Sequence, residues 1–401
     1  MQQSQSILRS SAPSLEARHC PSGLNTRFYG SPSTFAEYVA LSRDMLSKAH
    51  VALGAANLEK IVDGNAPFEL KPPAGFPSGQ NKIYRRGVLL THGLSDSPYF
   101  MRHLAAFFQQ NGFRVMATLL PGHGTQPGDL LDIKWQEWAK AVAYGAGRLA
   151  EEADEIYLSG YSAGGALSVY QSLRDERVRG LFLFSPAFKV SPRAAYANLH
   201  KLYSWLIPSA KWVDIKPDLD IYKYESFPKN AAAQMFALDK ELDARLRTQE
   251  ITIPVFAAAS EDDATVDSSA TIEFIARARN LSSKLVLYTT DTEKHFPGVP
   301  AEKLELVNSV VPGQNIISSA HTAIVLPGSD AHYGVSGEYS NCLHYYPDEM
   351  EKYSACLARP GRMPQGEITG ENLKTGILRR LMYNPNFAAL EVSMRQFLEK
   401  L

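Results

Sequence analysis

Six runs of the chain are apolar for most of their length and do not alternate: RGVLLT (86–91), FRVMATLL (113–120), EIYLSG (155–160), RGLFLFS (179–185), IPVFAAA (253–259) and KLVLYTT (284–290). A strand with one wet face alternates apolar and polar residues. A continuous apolar run marks a strand buried on both faces of a parallel sheet. Helix-length segments lie between these runs, at 98–111, 135–152, 163–173 and 267–280. Strand, helix, strand in repetition predicts an α/β fold: an open, doubly wound, mostly parallel sheet with helices on both faces.

Residues 1–80 read as an N-terminal extension. Within it, 34–53 has the pattern of an amphipathic helix, and APFELKPPAGFPSGQ then breaks the order with Pro and Gly. The main domain is expected over 81–401. From Pro186 to Glu250 no clear strand is visible, and the segment is rich in Trp, Tyr, Lys and Pro. A mostly helical cap at about 187–250 is expected there, over the carboxyl ends of the strands where ligands bind in such sheets. Tyr203, Trp205, Leu206 and Trp212 would line an apolar pocket beneath the cap or form the cap's own core.

The 41 Lys and Arg nearly balance the 42 Asp and Glu. No basic face is implied, so nucleic acid is excluded as the expected partner. No apolar run approaches the roughly 18 residues that a membrane-spanning helix needs. The first 23 residues lack the apolar centre of a secretory signal and read as a flexible leader. A cytoplasmic location is therefore expected, with the cell envelope as the alternative. Nothing indicates the oligomeric state. Of three cysteines, none forms a CxxC pair, so no metal site is expected. Cys342 and Cys356 are expected as two separate thiols; a disulfide between them is the alternative in an oxidising compartment.

The chemistry centres on YLSGYSAGG, Tyr157 to Gly165. Gly-x-Ser-x-Gly between a strand and a helix is a nucleophile elbow. The sharp turn presents the Ser162 hydroxyl at the strand ends, facing the positive end of the next helix. A nucleophilic serine needs an oxyanion hole. The backbone N–H of Ala163 is one expected donor, and Leu94, in the loop of VLLTHGLSDSP, is the other. His92 is read as ordering that loop. The acid and the base should follow in the order Ser, Asp, His. IPVFAAASEDDATVD places three acids after a strand, Glu261, Asp262 and Asp263. Asp267 reads as a helix cap. Four histidines come later: His295, His321, His332 and His344. Small and apolar residues flank His321 on both sides, as in a fixed loop, whereas His295 sits among charged residues. His321 is preferred on that ground, with His295 as the alternative, and His332 is read as stabilising the AHYG loop.

LLTHGLSDSPY, LLPGHGTQPGDL, KWQEWAKAV and LSGYSAGG together resemble the α/β-hydrolase superfamily, over roughly residues 86–325. The nearest resemblance is to bacterial carboxylesterases and monoacylglycerol lipases, a group that includes lysophospholipase-like and serine-aminopeptidase-like hydrolases. The resemblance implies that Leu94 and Ala163 form the oxyanion hole, that His123 of PGHG is structural, and that Asp263 holds the acid position with Asp262 as its neighbouring alternative. The usual arrangement in the family, with the histidine a few residues past the last strand, implies His295 after KLVLYTT, whereas a late run like SSAHTAIVLPGSDAHYG in some members implies His321.

The expected activity is hydrolysis of carboxylic esters with a short to medium acyl chain, through an acyl-enzyme on Ser162 and without cofactor or metal. The expected partner is a small ester or lipid-like substrate. The alternatives are a lysophospholipase or monoacylglycerol lipase acting on longer chains, a serine aminopeptidase, and a non-catalytic ligand-binding protein on the same fold.

Overall fold

The computed structural model describes residues 15–28, 33–189, 208–358 and 363–401. The chain begins with helices α1 (Phe35–Ala52) and α2 (Leu58–Asn65), then strands β1 (Phe68–Leu70) and β2 (Tyr84–Thr91). There follow α3 (Arg102–Gln110), β3 (Phe113–Thr118), α4 (Trp135–Glu152), β4 (Ala153–Tyr161), α5 (Ala163–Ser172) and β5 (Val178–Phe184). Short strands β6 (Trp212–Asp214) and β7 (Phe227–Pro228) precede α6 (Lys229–Leu246), β8 (Val255–Ser260), α7 (Ser268–Arg277), β9 (Lys284–Thr289) and β10 (Leu304–Asn308). The tail carries α8 (Met350–Ala358), β11 (Gln365–Gly366), β12 (Arg379–Arg380) and α9 (Phe387–Leu398).

Eight strands form one sheet in the order β1-β3-β2-β4-β5-β8-β9-β10. Only β1 runs antiparallel, against β3; the other neighbours are parallel. The six apolar runs are the six inner strands, and β2, β3, β4, β5, β8 and β9 are buried along nearly their whole length. Helices α1, α4, α5, α6 and α7 pack one face around Leu89, Leu158 and Leu183. Helices α3 and α9 pack the other around Phe108, Phe182 and Phe256. The doubly wound α/β sheet expected from the sequence is the fold. The two edge strands were not expected: β1 is three residues long, and β10 is only half-buried.

Three expectations change in detail. Residues 15–23 of the supposed flexible leader are docked. Asp129 accepts hydrogen bonds from Ser22 N (2.6 Å) and Ser22 Oγ (2.7 Å), and Asn25 Nδ2 donates to the His123 carbonyl. Within 187–250, α6 packs against α4 and α5 as part of the sheet's outer layer, because Ala231, Met235, Leu238 and Leu242 form a stripe facing the core. The β6–β7 pair is a stretch of strand where none was expected, and residues 190–207 of the expected cap lie outside the described residues. Tyr203, Trp205 and Leu206 lie outside the described residues. Trp212 is 5 % exposed and stands edge-on to His19, with ring centroids 5.1 Å apart, so it is packed as core.

The third change concerns the cysteines. Cys342 and Cys356 are joined by a disulfide, with Cα atoms 6.0 Å apart, rather than standing as separate thiols. Both cysteines are buried among Tyr345, Tyr353 and Met363. No helix among the described residues is long and apolar enough to cross a membrane. The two cysteines are 14 residues apart in sequence, and a loop of about that size restricts the unfolded chain by about 3 kcal/mol. Reduction is expected to remove most of this and lower the thermal midpoint; a midpoint indifferent to reductant would contradict the bridge.

Candidate active site

Strand β4 ends at Tyr161 and α5 begins at Ala163, leaving a single residue to turn the chain. That residue, Ser162, sits at φ 54° and ψ −117°, a conformation L-residues avoid. The flanking glycines make the turn possible. A Cβ on Gly160 would come within 2.1 Å of the Gly164 carbonyl oxygen, and one on Gly164 within 2.1 Å of the Thr91 carbonyl oxygen. Ser162 N donates to the Phe184 carbonyl at 2.9 Å, and the Ser162 carbonyl accepts from Gly165, Ala166 and Ala187. The side chain is thereby held at the carboxyl ends of β4 and β5.

Ser162 Oγ lies 3.0 Å from His321 Nε2. His321 Nδ1 lies 2.6 Å from Asp263 Oδ2. The acid fixes the tautomer: Nδ1–H donates to the carboxylate, which leaves Nε2 to accept the serine proton. Asp263 sits just after β8, and its Oδ1 accepts the N–H groups of Thr265 (2.8 Å) and Val266 (2.9 Å). Burial pushes this carboxyl up, but the His321 imidazole and the two N–H groups outweigh it and hold it below the ordinary carboxylate range. His321 opens a short 3-10 turn with Thr322 and Ala323. Tyr161 tilts against its ring and donates to its carbonyl at 3.2 Å, and Thr322 Oγ1 donates to the Leu381 carbonyl at 2.7 Å.

The other candidates fall elsewhere. His295 is exposed and makes no hydrogen bond to Ser162 or Asp263. His332 is bound to Asp220 (3.1 Å) and Glu338 (3.3 Å), fixing the loop in which it stands. His344 makes no hydrogen bond to Ser162 or Asp263, and burial pushes its pKa down to about 4. Asp267 caps α7 by accepting from Ser269 N at 3.0 Å. Asp262 makes no hydrogen bond to the histidine. Its Oδ2 has no partner, and burial, with Glu261 beside it, pushes its pKa up to about 6.

Ala163 follows the serine in sequence, and Leu94 stands in the loop after β2. Among the described residues neither backbone N–H is engaged by a hydrogen-bond acceptor, and Ala163 N–H is one of the unsatisfied donors at the start of α5. The Leu94 loop is ordered by His92, whose Nε2 accepts from Leu120 N (3.0 Å) while Nδ1 donates to the Gly93 carbonyl (2.8 Å). Burial pushes the His92 pKa well below its ordinary value and that of His123 to about 4. Both are neutral structural rings.

Sequence reasoning missed two ion pairs around this centre. Buried Asp96, in the Leu94 loop, pairs with Lys223. Buried Glu367 accepts from His321 N at 2.9 Å and pairs with Arg380. Asp96 stands inside HGLSDSP and was visible there; Glu367 is 46 residues from the histidine, and no local pattern links the two.

A cavity of about 380 Å³ has Ser95 of the Leu94 loop, Thr265 of the acid loop, Lys223, Tyr224 and Arg380 in its wall, while Ser162, Asp263 and His321 do not line it. A larger cleft of about 800 Å³ lies between α6 and α7, and none of its lining residues belongs to the serine, acid or histidine loops. Among the described residues no group of three or more His, Cys, Asp or Glu is placed to hold a metal ion.

The chain is similar to several known proteins. A thermostable monoacylglycerol lipase from Bacillus sp. (strain H-257) is 29 % identical over 182 residues, spanning 45 % of this chain and 71 % of the relative. Among solved structures, one described under "LipS and LipT, two metagenome-derived lipolytic enzymes" is 23 % identical with a TM-score of 0.46, covering 56 % of this chain and 87 % of that one. A soluble variant of monoglyceride lipase from Saccharomyces cerevisiae is 14 % identical with a TM-score of 0.42, covering 56 % and 82 %. These two structural likenesses are too distant to bear on what the chain acts upon. The profile of the family described as "Serine aminopeptidase, S33" (Hydrolase_4) matches residues 83–290, just over half of the chain. The protein therefore belongs to that family and is a serine hydrolase of the α/β-hydrolase fold.

Proposed function

We propose that the protein hydrolyses carboxylic esters of short to medium acyl chain, with Ser162 as nucleophile, His321 as general base and Asp263 as the acid that orients it. The observation that carries this reading is the unbroken chain from Ser162 Oγ to His321 (3.0 Å) to Asp263 (2.6 Å). Nε2 takes the serine proton as Oγ attacks the ester carbonyl. The negative oxygen that develops is received by the N–H groups of Leu94 and Ala163, each worth about 3 kcal/mol in sites of this kind. The imidazolium then protonates the leaving alcohol. A water enters, gives its proton to Nε2 and attacks the acyl-enzyme, releasing the carboxylic acid and restoring the serine.

The cavity that borders the Leu94 and Asp263 loops supports the limit on chain length. At about 380 Å³ it lies at the small end of ligand sites, and Lys223 and Arg380 in its wall do not suit a long alkyl chain. The Bacillus relative's name, monoacylglycerol lipase, favours a second reading in which the substrate is a lipid ester. The Cys342–Cys356 bond supports an oxidising compartment over the cytoplasm.

Ser162→Ala is expected to abolish p-nitrophenyl ester hydrolysis and fluorophosphonate labelling in a folded protein. Labelling that survives would place the nucleophile elsewhere. An optimum on C10 or longer chains in the p-nitrophenyl series would favour the lipid reading.

His321→Ala is expected to remove activity and His295→Ala to retain most of it. The reverse ranking in rate assays would mean that a different loop carries the base.

The neighbouring acids are expected to behave oppositely. Asp263→Asn should lower kcat about 10⁴-fold, as loss of the tautomer-fixing carboxylate does in such triads, whereas Asp262→Asn should change it little. Asp262 has a raised folded pKa, about 6 against 3.8, so the folded state holds its proton more tightly than the unfolded one. Its charge then costs stability that is intact below about pH 4 and is lost as pH rises through about 6. Asp262→Asn should thus raise the thermal midpoint at pH 7.5 and not at pH 4. An equal shift at both values would contradict this.

A further inference from the structure

We infer that Glu367 and Arg380, both beyond the family-matched residues 83–290, form a clamp that positions the imidazole of His321 against Asp263. The inference rests on the reading of Ser162, His321 and Asp263 given above. Glu367 has a fully buried side chain. Its Oε2 accepts from the His321 backbone N–H at 2.9 Å, and its own backbone N–H donates to Ser318 Oγ at 3.0 Å, three residues before the histidine. Oε1 accepts from Ile368 N at 2.8 Å. Arg380 faces the same carboxylate, with Nε 2.8 Å from Oε1 and Nη2 donating to Oε2 at 3.1 Å. The same Nη2 donates to Thr265 Oγ1 at 2.6 Å. Thr265 in turn gives its N–H to Asp263 Oδ1 at 2.8 Å.

These contacts close a ring. It runs from His321 through Glu367, Arg380 and Thr265 to Asp263, and returns through the 2.6 Å hydrogen bond between the acid and the imidazole. The acid and the histidine come from loops 58 residues apart, so something must hold those loops in register. One aligned hydrogen bond from Nη2 and a close charge contact at Nε tie the guanidinium to this carboxylate, and charge on both partners strengthens such a bond. Stability alone gives little reason for the pair, since burying an ion pair commonly stabilises no more than apolar packing would. Neither side chain is hydrogen-bonded to Ser162 or to the imidazole, so the two are positioning residues. The backbone constraint is also placed where it matters: a displacement of about 1 Å at a catalytic group can cost about 100-fold in rate.

The test measures kcat and KM per site titrated with a fluorophosphonate, on the full chain, using p-nitrophenyl acetate or butyrate. Glu367→Leu removes the acceptor for His321 N–H, and kcat is expected to fall about 100-fold with KM within about two-fold. Glu367→Gln keeps an acceptor and should recover kcat to within about ten-fold of wild type. Arg380→Met should lower kcat at least about ten-fold, and its effect should not add to that of Glu367→Leu, since the two residues act as one unit. Glu367→Leu that loses thermal stability but keeps wild-type kcat per titrated site would overturn the clamp. If that variant does not fold, an unchanged kcat in Arg380→Met overturns it equally. Wild-type protein that fluorophosphonate does not label at Ser162 would instead defeat the hydrolase reading, a result seen before any clamp variant is made.

Discussion

The backbone of Ser162, held at φ 54° and ψ −117°, is the constraint on which the rest of the site depends. Such a conformation costs about 1–3 kcal/mol and persists only where the surroundings leave no choice. Here β4 lies between β2 and β5 in the middle of the sheet, and Ser162 N is tied to the Phe184 carbonyl of β5. On the other side α5 starts at once, and Gly164 lies so close to Thr91 of β2 that no side chain fits. Three parallel strands thus fix one residue. Leu94 follows β2, Asp263 follows β8, and the N-terminus of α5 faces the serine. All of this geometry comes from parallel strands ending on one side of the sheet.

The sheet was legible because burial on both faces writes itself into composition. Each inner strand needs apolar residues at every position, and no other element of that length has the same need. The elbow was legible because a backbone turn that excludes side chains can be written only with glycine. The edge strands were not. Leu304–Asn308 is half-buried, with a Glu and an Asn among its five residues, and Phe68–Leu70 is too short to show any period. The histidine was only half legible. Its neighbours Ala320 and Ala323 are buried, which the small and apolar flanks implied. Its partners are set by contacts over 46, 58 and 159 residues, and no local pattern carries those. The disulfide was misread for a similar reason. Cys342 and Cys356 show only their spacing, and it takes the folding of α8 against the turn at Leu343–Tyr345 to bring the sulfurs together.

Adjacent residues Asp262 and Asp263 show how little sequence position says about charge. Both follow β8, and both are removed from bulk water. Asp263 gains two backbone N–H donors and an imidazole N–H, and stays ionised. Asp262 meets the repulsion of Glu261 and Glu367 with a smaller attraction from Lys294, and its Oδ2 has no hydrogen-bond partner among the described residues. The turn after β8 aims two amide donors at one carboxylate and none at the next. The same turn makes Asp263 Oδ1 an anchor for the loop, which frees Oδ2 for the histidine. Electrostatic support and positioning are therefore one structural act at this acid.

The tail after β10 carries that logic further. The family-matched region ends at residue 290, so it holds the serine and the acid but not His321. The proposed base reaches the serine from a segment that makes no strand in the main sheet. Its rigidity must come from other contacts. Ile317 N donates to the Gln365 carbonyl, Leu381 N to the Gly366 carbonyl and Asn384 N to the Leu326 carbonyl. Residues 317–326 are thus laced to β11, β12 and the turn before α9, while the main sheet holds the serine and acid loops. Two bodies of structure then have to meet within hydrogen-bond tolerance. Apolar packing between them tolerates sliding of a few tenths of an ångström, because dispersion is weakly directional. An acid–imidazole–serine chain does not, because each of its bonds weakens steeply off axis. Directional contacts are needed at the seam, and they are found there: Tyr161 on the His321 carbonyl, Thr322 on Leu381, and Glu367 with Arg380 across to Thr265. The polar character of a seam buried this deeply follows from the precision that the chemistry demands of it.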